Sequence, residues 1–355
     1  MIWLFHFIIV TLLLIISRFI RNDDFFINSS FLYALFVFGQ RWMTGTDFPN
    51  YLKYYLIDFQ VREPIYKFLQ NFLAEHNLYF GLLIFIIFAI TLINNYRFMI
   101  KIDRNVVLIV YIYLISEIFF AQLSQIRQFI AISFFINAYF NAFEKKYSRS
   151  FINVLLGAGF HTSIIFLVPF LFIRLNITRI NALYFLIVSA ILPLLDVTLL
   201  LKLPFFSRYA HYIESRFNVN LSMFHLLKFY ALLSIVSIFI SNLKKYRSTA
   251  IDQMILNGVI FSMLIYGLSF QFAPMIRINA FFKIFEFVFL VYFLNEVDNF
   301  AQIVKRTLVI TFFFVIYLGS MITDPYNITQ YQFHHLRLQE DKSTEQLWEE
   351  ISNYP

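Results

Sequence analysis

The sequence predicts an all-α, polytopic transmembrane helix bundle with about 10–12 membrane segments. Hydrophobic residues make up 60% of the 355 residues, and charged residues make up only 14%. In a soluble domain about a quarter of all residues are charged, and they are needed to cover its surface. Most of the surface of this protein must therefore face lipid. Apolar runs of bilayer length recur along the chain with the basic residues between them, which indicates the same class.

The apolar runs define the predicted segments in chain order. They fall at about 2–20, 25–40, 78–95, 106–122, 127–143, 181–201, 223–243, 253–273, 278–295 and 306–322. Most approach the roughly 20 residues that a helix needs to cross the hydrocarbon core. No basic region precedes the first run, and Arg18 and Arg21 follow it. We therefore predict an uncleaved span with its N-terminus outside rather than a signal peptide.

Residues 150–175 can form either one long helix or two short helices that meet at a Gly-Ala-Gly-Phe-His tip (157–161). The positive-inside rule distinguishes the two topologies. With one span, the basic runs at 244–247 and 305–306 fall outside the cytoplasm. With a hairpin, every basic run lies inside. We therefore predict a short helical hairpin with an outward tip, where non-helical backbone is tolerated if it lines a cavity.

The predicted organisation is one transmembrane domain over residues 1–322 and a polar, non-cytoplasmic C-terminal tail over residues 323–355. The longest non-cytoplasmic connection covers residues 41–77 and is named the outer loop. Cysteine is absent, which excludes disulfides, thiolate metal sites and a cysteine nucleophile. The formal charge of +7 comes from basic residues in short loops. This pattern is typical of topology signals, and we predict no nucleic-acid partner.

The hairpin topology places single arginines, carboxylates and one histidine on the outer face. Arginine on the non-cytoplasmic side opposes the orientation signal, so these positions need another reason, and binding of an anion is the simplest. The charged residues assigned to this face are Arg41, Asp47, Asp58, Arg62, Glu63, Glu75, Arg127, His161, Lys202, Arg208, Glu214, Arg216 and Arg277.

The outer loop carries the first group of candidate residues. Gly45 and Pro49 predict a turn that presents Asp47 beside the helix end that carries Arg41. Glu63 is followed by a proline, which fits the first turn of a short interfacial helix. The alternative is a solvated loop with local ion pairs, in which the tyrosines form an ordinary interfacial belt.

A polar interruption at Gln122–Gln128 leaves Arg127 at the start of the fifth span. An arginine in such a turn can simply be interfacial, but Gln122, Ser124, Gln125 and Gln128 supply more hydrogen-bonding capacity than a turn needs. His161 lies in an apolar stretch, where it is either a hydrogen-bonded core residue or a functional group at membrane depth.

Two later pieces complete the candidates. Arg208, Tyr209 and Tyr212 share a possible helical face, and Arg277 lies at the entry to the tenth span. The sequence holds no zinc pattern, no P-loop, no nucleophile elbow and no Asp-x-Asp pair. We therefore expect neither a metal site nor a nucleotide-sugar enzyme on the cytoplasmic side.

At these residues the chain resembles the EpsG family and, more broadly, Wzy-type O-antigen and capsule polymerases. The resemblance covers about residues 30–295, and Phe48 departs from the tyrosine that often follows Gly-Thr-Asp in the family. No resemblance is found after residue 325. The matching pieces, in order, are Arg41 to Asp47 with Tyr51 and Tyr55, Glu63-Pro64-x-Tyr66, Arg127-Gln128-x-x-Ala131, Phe160-His161-x-Ser163, Tyr209 with Tyr212, and Arg277 before an aromatic-rich span.

The resemblance implies a polysaccharide polymerase at the outer face of the bacterial inner membrane. Such an enzyme transfers the growing glycan from an undecaprenyl-pyrophosphate carrier to another lipid-linked repeat unit, without a nucleotide or a metal cofactor. The partners implied are the undecaprenyl-pyrophosphate-linked oligosaccharide and membrane lipids, with a chain-length regulator and a flippase as candidates, and no nucleic acid.

The same resemblance suggests roles for the candidates. Arginine binds phosphate oxygens in a bidentate manner, so the basic residues suit the pyrophosphate, and a carboxylate or imidazole suits the role of base. The base candidates, in order of preference, are Asp47, His161 and Glu63. The pyrophosphate and substrate candidates are Arg127 and Arg277, assisted by Arg41 or Arg208, with Gln128, Tyr66 and Tyr209.

Three other classes of membrane protein fit the sequence less well than a polymerase. A transporter or flippase for lipid-linked glycans needs ionisable groups along a path to the inner face and inverted repeats, whereas the charges here concentrate on one face. A membrane acyltransferase also uses an embedded histidine and arginines, but its basic cluster faces the cytoplasm. A purely structural membrane protein does not explain the polar groups gathered at one face.

Overall fold

The computed structural model describes residues 2–57, 61–195, 221–243, 249–294 and 302–354. The predicted all-α class is confirmed, since almost all of the regular structure in these ranges is helical. The helices are α1 Ile2–Ile20, α2 Asp23–Gly39, α3 Phe48–Leu56, α4 Pro64–Glu75, α5 Phe80–Lys101, α6 Val106–Leu114, α7 Glu117–Ser124, α8 Ile126–Phe143, α9 Tyr147–Ala158, α10 Arg179–Ile191, α11 Met223–Ser241, α12 Ala250–Ser269, α13 Met275–Asn279, α14 Ile284–Tyr292, α15 Gln302–Thr323 and α16 Thr344–Ser352. Two 3₁₀ helices cover Thr162–Leu171 and Leu192–Leu194, and two short strands are β1 Arg41–Trp42 and β2 Gln332–Phe333.

Five helices in the described ranges are long and apolar enough to cross a membrane, namely α1, α5, α11, α12 and most of α15. A sixth span is present if the bent pair of α6 and α7 is counted as one. This count covers only the described ranges and only helices long enough to cross alone, and it is consistent with the predicted polytopic bundle. Other apolar runs form shorter or interrupted helices. Helix α2 has only 17 residues, and the run at 278–295 is broken between α13 and α14. The protein is a multi-pass membrane protein.

The bend between α6 and α7 measures 53° and is fixed by buried polar groups. Ser116 caps α7, where its side chain accepts a hydrogen bond from the Phe119 amide. The Tyr113 hydroxyl donates to Gln122 Oε1 at 2.8 Å and accepts from Asn95 Nδ2 at 2.9 Å. These bonds tie α6 and α7 to each other and to α5.

Residues 147–171 form the two short helical segments that the basic residues predict. Helix α9 ends at Ala158, and a 3₁₀ helix begins at Thr162 after the break. A Cβ on Gly157 would lie 2.6 Å from Ile164 Cδ1, so the absence of a side chain lets the two segments approach closely. The predicted break at 157–161 is confirmed.

Contacts divide the chain into two compact units. The first comprises Met1–Ala142, Lys146–Val168 and Ile310–Pro355, and the second comprises Phe143–Lys145 and Pro169–Val309. This division differs from the predicted boundary at residue 322, because the described residues after that point pack against the outer loop within the first unit.

Within the first unit, the outer loop packs into a hydrophobic core that it shares with α5 and α8. Trp42, Phe48, Tyr66 and Phe80 are each at most 2% exposed and belong to one buried cluster with Leu347 of α16. Burial of this much aromatic surface stabilises a folded loop. The alternative of a solvated loop with local ion pairs is therefore wrong.

The second unit is built around α12. Thr249 caps α12 and Thr178 caps α10, and each cap forms a reciprocal capping box. The Asn257 side chain accepts from the Leu175 amide at 2.9 Å and donates to the Leu175 carbonyl at 2.8 Å. These bonds satisfy backbone amide and carbonyl groups of the extended segment that precedes α10. Without hydrogen bonds, such groups would raise the free energy of the folded protein at membrane depth.

Candidate functional site

The turn that carries Asp47 is docked against the end of α7. Gly45 has a φ of +100°, a conformation that favours glycine. A Cβ at this position would lie 2.7 Å from the Ser124 Cα, so the backbones are too close for any side chain. Thr46 Oγ1 and Ser124 Oγ share a hydrogen bond of 2.7 Å. This contact explains why the outer loop and the polar interruption before Arg127 belong to one site.

Arg41 lies beneath this turn and is only 1% exposed. Its Nε donates to the Leu123 carbonyl at 3.0 Å, and its Nη1 donates to the Phe38 carbonyl at 2.9 Å. These carbonyls lie in the last turns of α7 and α2, where helices present unsatisfied acceptors and partial negative charge. Arg41 therefore joins two helix ends. Its role in binding pyrophosphate stays a prediction.

Asp47 occupies the position before α3 and is half-buried. The Tyr51 hydroxyl, one turn into α3, donates to Asp47 Oδ2 at 3.3 Å. Burial, together with the nearby Asp47 charge, raises the pKa of the Tyr51 hydroxyl. Tyr51 therefore remains a proton donor to the Asp47 carboxylate at any physiological pH.

Glu63 precedes Pro64 at the start of α4, as the sequence predicts, and it contacts two other candidates. Its Oε2 lies 3.1 Å from Arg127 Nη1 in a hydrogen-bonded ion pair. Its Oε1 lies 3.5 Å from His161 Nδ1. The Glu63 side chain is 9% exposed, while those of Arg127 and His161 are 21% and 28% exposed. Glu63 thus bridges two groups that are more open to solvent than itself.

Arg127 lies at the start of α8 against two tyrosine rings. Its guanidinium carbon lies 5.6 Å from the ring centroid of Tyr51 and 5.3 Å from that of Tyr66. Cation–π contacts of this kind hold the guanidinium plane in place. Arg127 Nε and the Tyr66 hydroxyl are buried and make no hydrogen bond within the described residues. Both groups are donors that could bind the oxygens of an anion.

His161 is positioned by the break between α9 and the 3₁₀ helix. The Gly159 carbonyl accepts from the amides of Ile65 and Tyr66 at 2.9 and 3.1 Å. These are amides of the first turn of α4, which lack partners within their own helix. A Cβ on Gly159 would lie 2.4 Å from Ile65 side-chain atoms. The break and α4 are therefore joined closely, which brings His161 to Glu63.

These contacts define the Arg127 cluster, which consists of Asp47, Tyr51, Glu63, Tyr66, Arg127 and His161. The cluster combines one guanidinium, two carboxylates, one imidazole and two phenols. It can bind an oxyanion through Arg127 and Tyr66, and it holds several groups able to accept a proton. No group of three His, Cys, Asp or Glu side chains arranged to hold a metal occurs in the described ranges.

Four other predicted residues lie elsewhere or are not described. Gln128 is 8% exposed and follows Arg127 in α8. Arg277 lies in α13 of the second unit and is exposed. Arg208 and Tyr209 lie outside the described residues. Their roles in substrate binding stay predictions.

The C-terminal segment, residues 324–354, contributes contacts that the sequence did not reveal. The Tyr354 hydroxyl donates to the Gly45 carbonyl at 2.9 Å. The Trp42 indole donates from Nε1 to Glu350 Oε2 at 2.7 Å. A signal for the helix was present, because Ser343 and Gln346 form a capping box before the Leu-Trp pair of α16. Nothing in the sequence indicated where that helix packs.

The model of the EpsG family matches residues 24–333. Neither the curated proteins nor the solved structures provide a significant match. The whole Arg127 cluster lies within the matched range, whereas α16 and Tyr354 lie beyond it.

Proposed function

The chain belongs to the EpsG family, whose members are Wzy-type polymerases, and from this premise we propose the reaction that it catalyses. It transfers a growing glycan from an undecaprenyl-pyrophosphate carrier to another lipid-linked repeat unit. The reaction takes place at the outer face of the bacterial inner membrane, in the synthesis of O-antigen, capsule or exopolysaccharide. The family supports the coarser statement, a polysaccharide-polymerase type of membrane protein.

The observation that carries the proposal is the environment of Arg127. Its guanidinium lies against two tyrosine rings, contacts a carboxylate and retains a buried Nε donor without a hydrogen bond in the described residues. An arginine guanidinium binds phosphate oxygens well, and partial burial strengthens that interaction. A nearby carboxylate–imidazole pair supplies proton transfer, which anion binding alone would not require.

The reaction balances without a cofactor. A hydroxyl oxygen of the acceptor sugar attacks the anomeric carbon of the donor glycan, and a new glycosidic bond forms. The bond between that carbon and the pyrophosphate oxygen breaks, and the pyrophosphate leaves with the electron pair. Arg127 stabilises the charge that develops on the leaving group. The hydroxyl proton passes to a base of the cluster.

His161, oriented by Glu63, is the base that the contacts favour. One Glu63 oxygen contacts Arg127 and the other contacts His161, so Glu63 positions both side chains. The 3.5 Å contact is long for a hydrogen bond, but such contacts commonly shorten when substrate binds. A carboxylate beside an imidazole stabilises the imidazolium formed after proton transfer. Asp47, which Tyr51 binds, is the alternative base.

A transporter or flippase for the same lipid-linked glycans is the second candidate. Helices α6 and α7 meet at a 53° bend, and the buried side chains of Asn95, Tyr113 and Gln122 lie beside it. Broken helices with polar side chains at membrane depth are typical of transporters.

Deletion of the gene distinguishes the two candidates. A polymerase mutant should transfer single repeat units, which remain accessible to glycan-modifying reagents outside the cell. A flippase mutant should accumulate lipid-linked units that are protected in intact cells and become accessible only after lysis. Polymer of unchanged length in the deletion strain would contradict the polymerase proposal. Complementation with the intact gene is the control for both readouts.

The purified protein provides the direct test. In detergent with only lipid-linked repeat units and buffer, the intact protein should produce a ladder of longer lipid-linked glycans. Each added unit should be accompanied by the release of one carrier lipid. A protein that binds these lipids and extends none of them, with a known polymerase active in the same assay, would refute the reaction.

A further inference from the structure

The C-terminal segment folds back across about 300 residues of sequence to the outer loop. Strand β2 pairs antiparallel with β1, with Phe333 opposite Arg41 and Gln332 opposite Trp42. The His334 amide continues this contact by donating to the Gln40 carbonyl at 3.0 Å. The His334 ring stacks on Trp42 with a centroid distance of 4.9 Å. The segment is therefore part of the folded outer loop.

One part of the segment binds the backbone immediately before Asp47. The Gly45 amide donates to the Asn327 carbonyl at 3.0 Å, and the Thr46 amide donates to the Tyr326 carbonyl at 2.9 Å. The Asp324 carboxylate stabilises the turn that presents these carbonyls, since it accepts from the Ile328 and Thr329 amides at 2.7 and 3.1 Å.

A second part of the segment binds Gly45 through its carbonyl. The Tyr354 hydroxyl donates to the Gly45 carbonyl, and burial raises the pKa of this hydroxyl to about 12, so it stays protonated. Helix α16 holds Tyr354 in place, because Leu347 is 2% exposed in the outer-loop core and Glu350 accepts from the Trp42 indole. Both polar groups of Gly45 are thus bound by the C-terminal segment.

The position of Gly45 and Thr46 sets the position of the Arg127 cluster. Asp47 follows them directly and precedes α3, and Tyr51 of α3 packs against the guanidinium of Arg127. A displacement of about 1 Å at reacting groups can reduce a rate by about 100-fold. The hydrogen bonds that hold this turn therefore affect the rate of the reaction, although none of them is made to the substrate.

We propose that the C-terminal segment is a positioning element of the polymerase site and that Tyr354 is its terminal positioning residue, acting through Gly45 on Asp47 and Tyr51. This inference rests on the proposed function. It adds a function for α16 and Tyr354, which lie beyond the residues that the family model matches. In this chain, residues beyond the family's matched region therefore contribute to the outer site together with residues 326 and 327 inside it.

The test compares two variants that each lose one hydroxyl near the end of the chain. Tyr354→Phe removes the hydroxyl that bonds the Gly45 carbonyl and the Asn327 side chain, and it keeps the ring. Ser352→Ala is the matched control, because the Ser352 hydroxyl bonds only within α16, to the Trp348 carbonyl at 2.9 Å, and is exposed. Both full-length proteins are purified in detergent and assayed with lipid-linked repeat units.

We expect Tyr354→Phe to lower kcat about 10-fold while KM for the lipid-linked unit stays within about twofold, since placement rather than binding is changed. Ser352→Ala should match the wild type. Equal kcat for Tyr354→Phe and Ser352→Ala would overturn the inference, as would a rise in KM with unchanged kcat. Absence of elongation by the wild type would instead refute the proposed function.

A chain that stops after Lys342 gives a second, independent measurement. It loses α16 and Tyr354 but keeps β2 and the bonds from residues 326 and 327. In cells that lack the gene, this shortened chain should reach the membrane and yield mostly single repeat units. Polymer of normal length from the shortened chain would overturn the inference. If the shortened chain does not accumulate, the kcat of Tyr354→Phe decides whether the inference holds.

Discussion

The carboxylate of Glu63 lies 3.1 Å from Arg127 and 3.5 Å from His161, through its two different oxygens. These three residues come from the position before α4, from the start of α8 and from the break after α9. One carboxylate therefore fixes the distance between the group expected to bind pyrophosphate and the group expected to accept a proton.

Arg127 should be needed for elongation more than for folding. Arg127→Ala should reduce kcat by about 100-fold or more, because a positioned donor to developing charge is worth about 3 kcal/mol. Arg127→Lys should recover only a small part of the lost kcat, since lysine lacks the planar guanidinium that binds two oxygens at once. Polymer length and membrane protein level are measured together. Arg18→Ala, which removes an exposed ion pair with Asp23, is the control. Normal polymer from Arg127→Ala would contradict the site.

Glu63 and His161 should act as one unit. Glu63→Gln and His161→Gln should each lower kcat, and the double variant should be little worse than the worse single variant. The acidic limb of the pH–rate profile should be lost in His161→Gln, because the neutral imidazole is the form that accepts the proton. Asp47→Asn should keep this limb. If Asp47→Asn loses the limb and His161→Gln retains it, Asp47 is the base.

Arg41 should be needed for stability more than for binding. Arg41→Ala leaves two helix-end carbonyls without their donor and opens a cavity, at a cost of about 2 kcal/mol or more. We expect a lower membrane level and a lower unfolding temperature in detergent, in contrast to Arg127→Ala. A normal level of Arg41→Ala combined with a raised KM would instead support direct binding of pyrophosphate.

Gly45→Ala should destabilise the outer loop. Alanine at a φ of +100° is strained by about 1–3 kcal/mol, and its Cβ would collide with the Ser124 backbone. Thermal unfolding in detergent measures the effect. Gly319→Ala, within helix α15, serves as the control because alanine favours helix there. An unfolding temperature for Gly45→Ala equal to that of Gly319→Ala would show that the turn can rearrange at low cost.

Acidification should loosen the C-terminal segment. Burial lowers the pKa of His334 below its usual value, with the positive charge of Lys342 contributing. The unfolded segment then binds a proton more readily than the folded one, so the contribution of His334 to stability is present above the ordinary histidine pKa and is lost as the pH falls through the lowered value. Amide exchange of β2, corrected for its intrinsic pH dependence, should rise at acidic pH.

His334→Phe is the matched variant for this pH effect, since it keeps a ring on Trp42 and cannot titrate. Its exchange should vary little across the same pH range. An equal rise in both proteins would assign the effect to other groups, among them Glu340, Asp341 and Glu350 of the same segment.

Local sequence signals were sufficient for the cluster but not for its surroundings. Glu63, Arg127 and His161 were each recognisable as a polar residue beside a helix start, a break or an apolar run, and the structure brings them together. Their mutual distances depend on the Gly159 carbonyl, which binds the first turn of α4. That contact joins segments about 95 residues apart, and no local pattern encodes it.

Arg41 shows the limit of residue type as evidence. An arginine at a helix end can equally bind a ligand or the carbonyls of neighbouring helices, and the choice depends on where Leu123 and Phe38 lie in space. The helix bounds show a related limit. The apolar run at 278–295 gives no sign of the break between α13 and α14 that the structure contains.

The binding of Gly45 by residues 326, 327 and 354 has a consequence for biogenesis. The Trp3 indole also donates to the Ile328 carbonyl, across 325 residues. During synthesis the bonds to Gly45 and Thr46 can form only after residues 326, 327 and 354 have been translated, long after the turn itself. A ribosome that stalls within α16 would leave the Gly45 carbonyl without the Tyr354 hydroxyl. The folding of a turn near the start of the sequence thus depends on a segment that is translated far later.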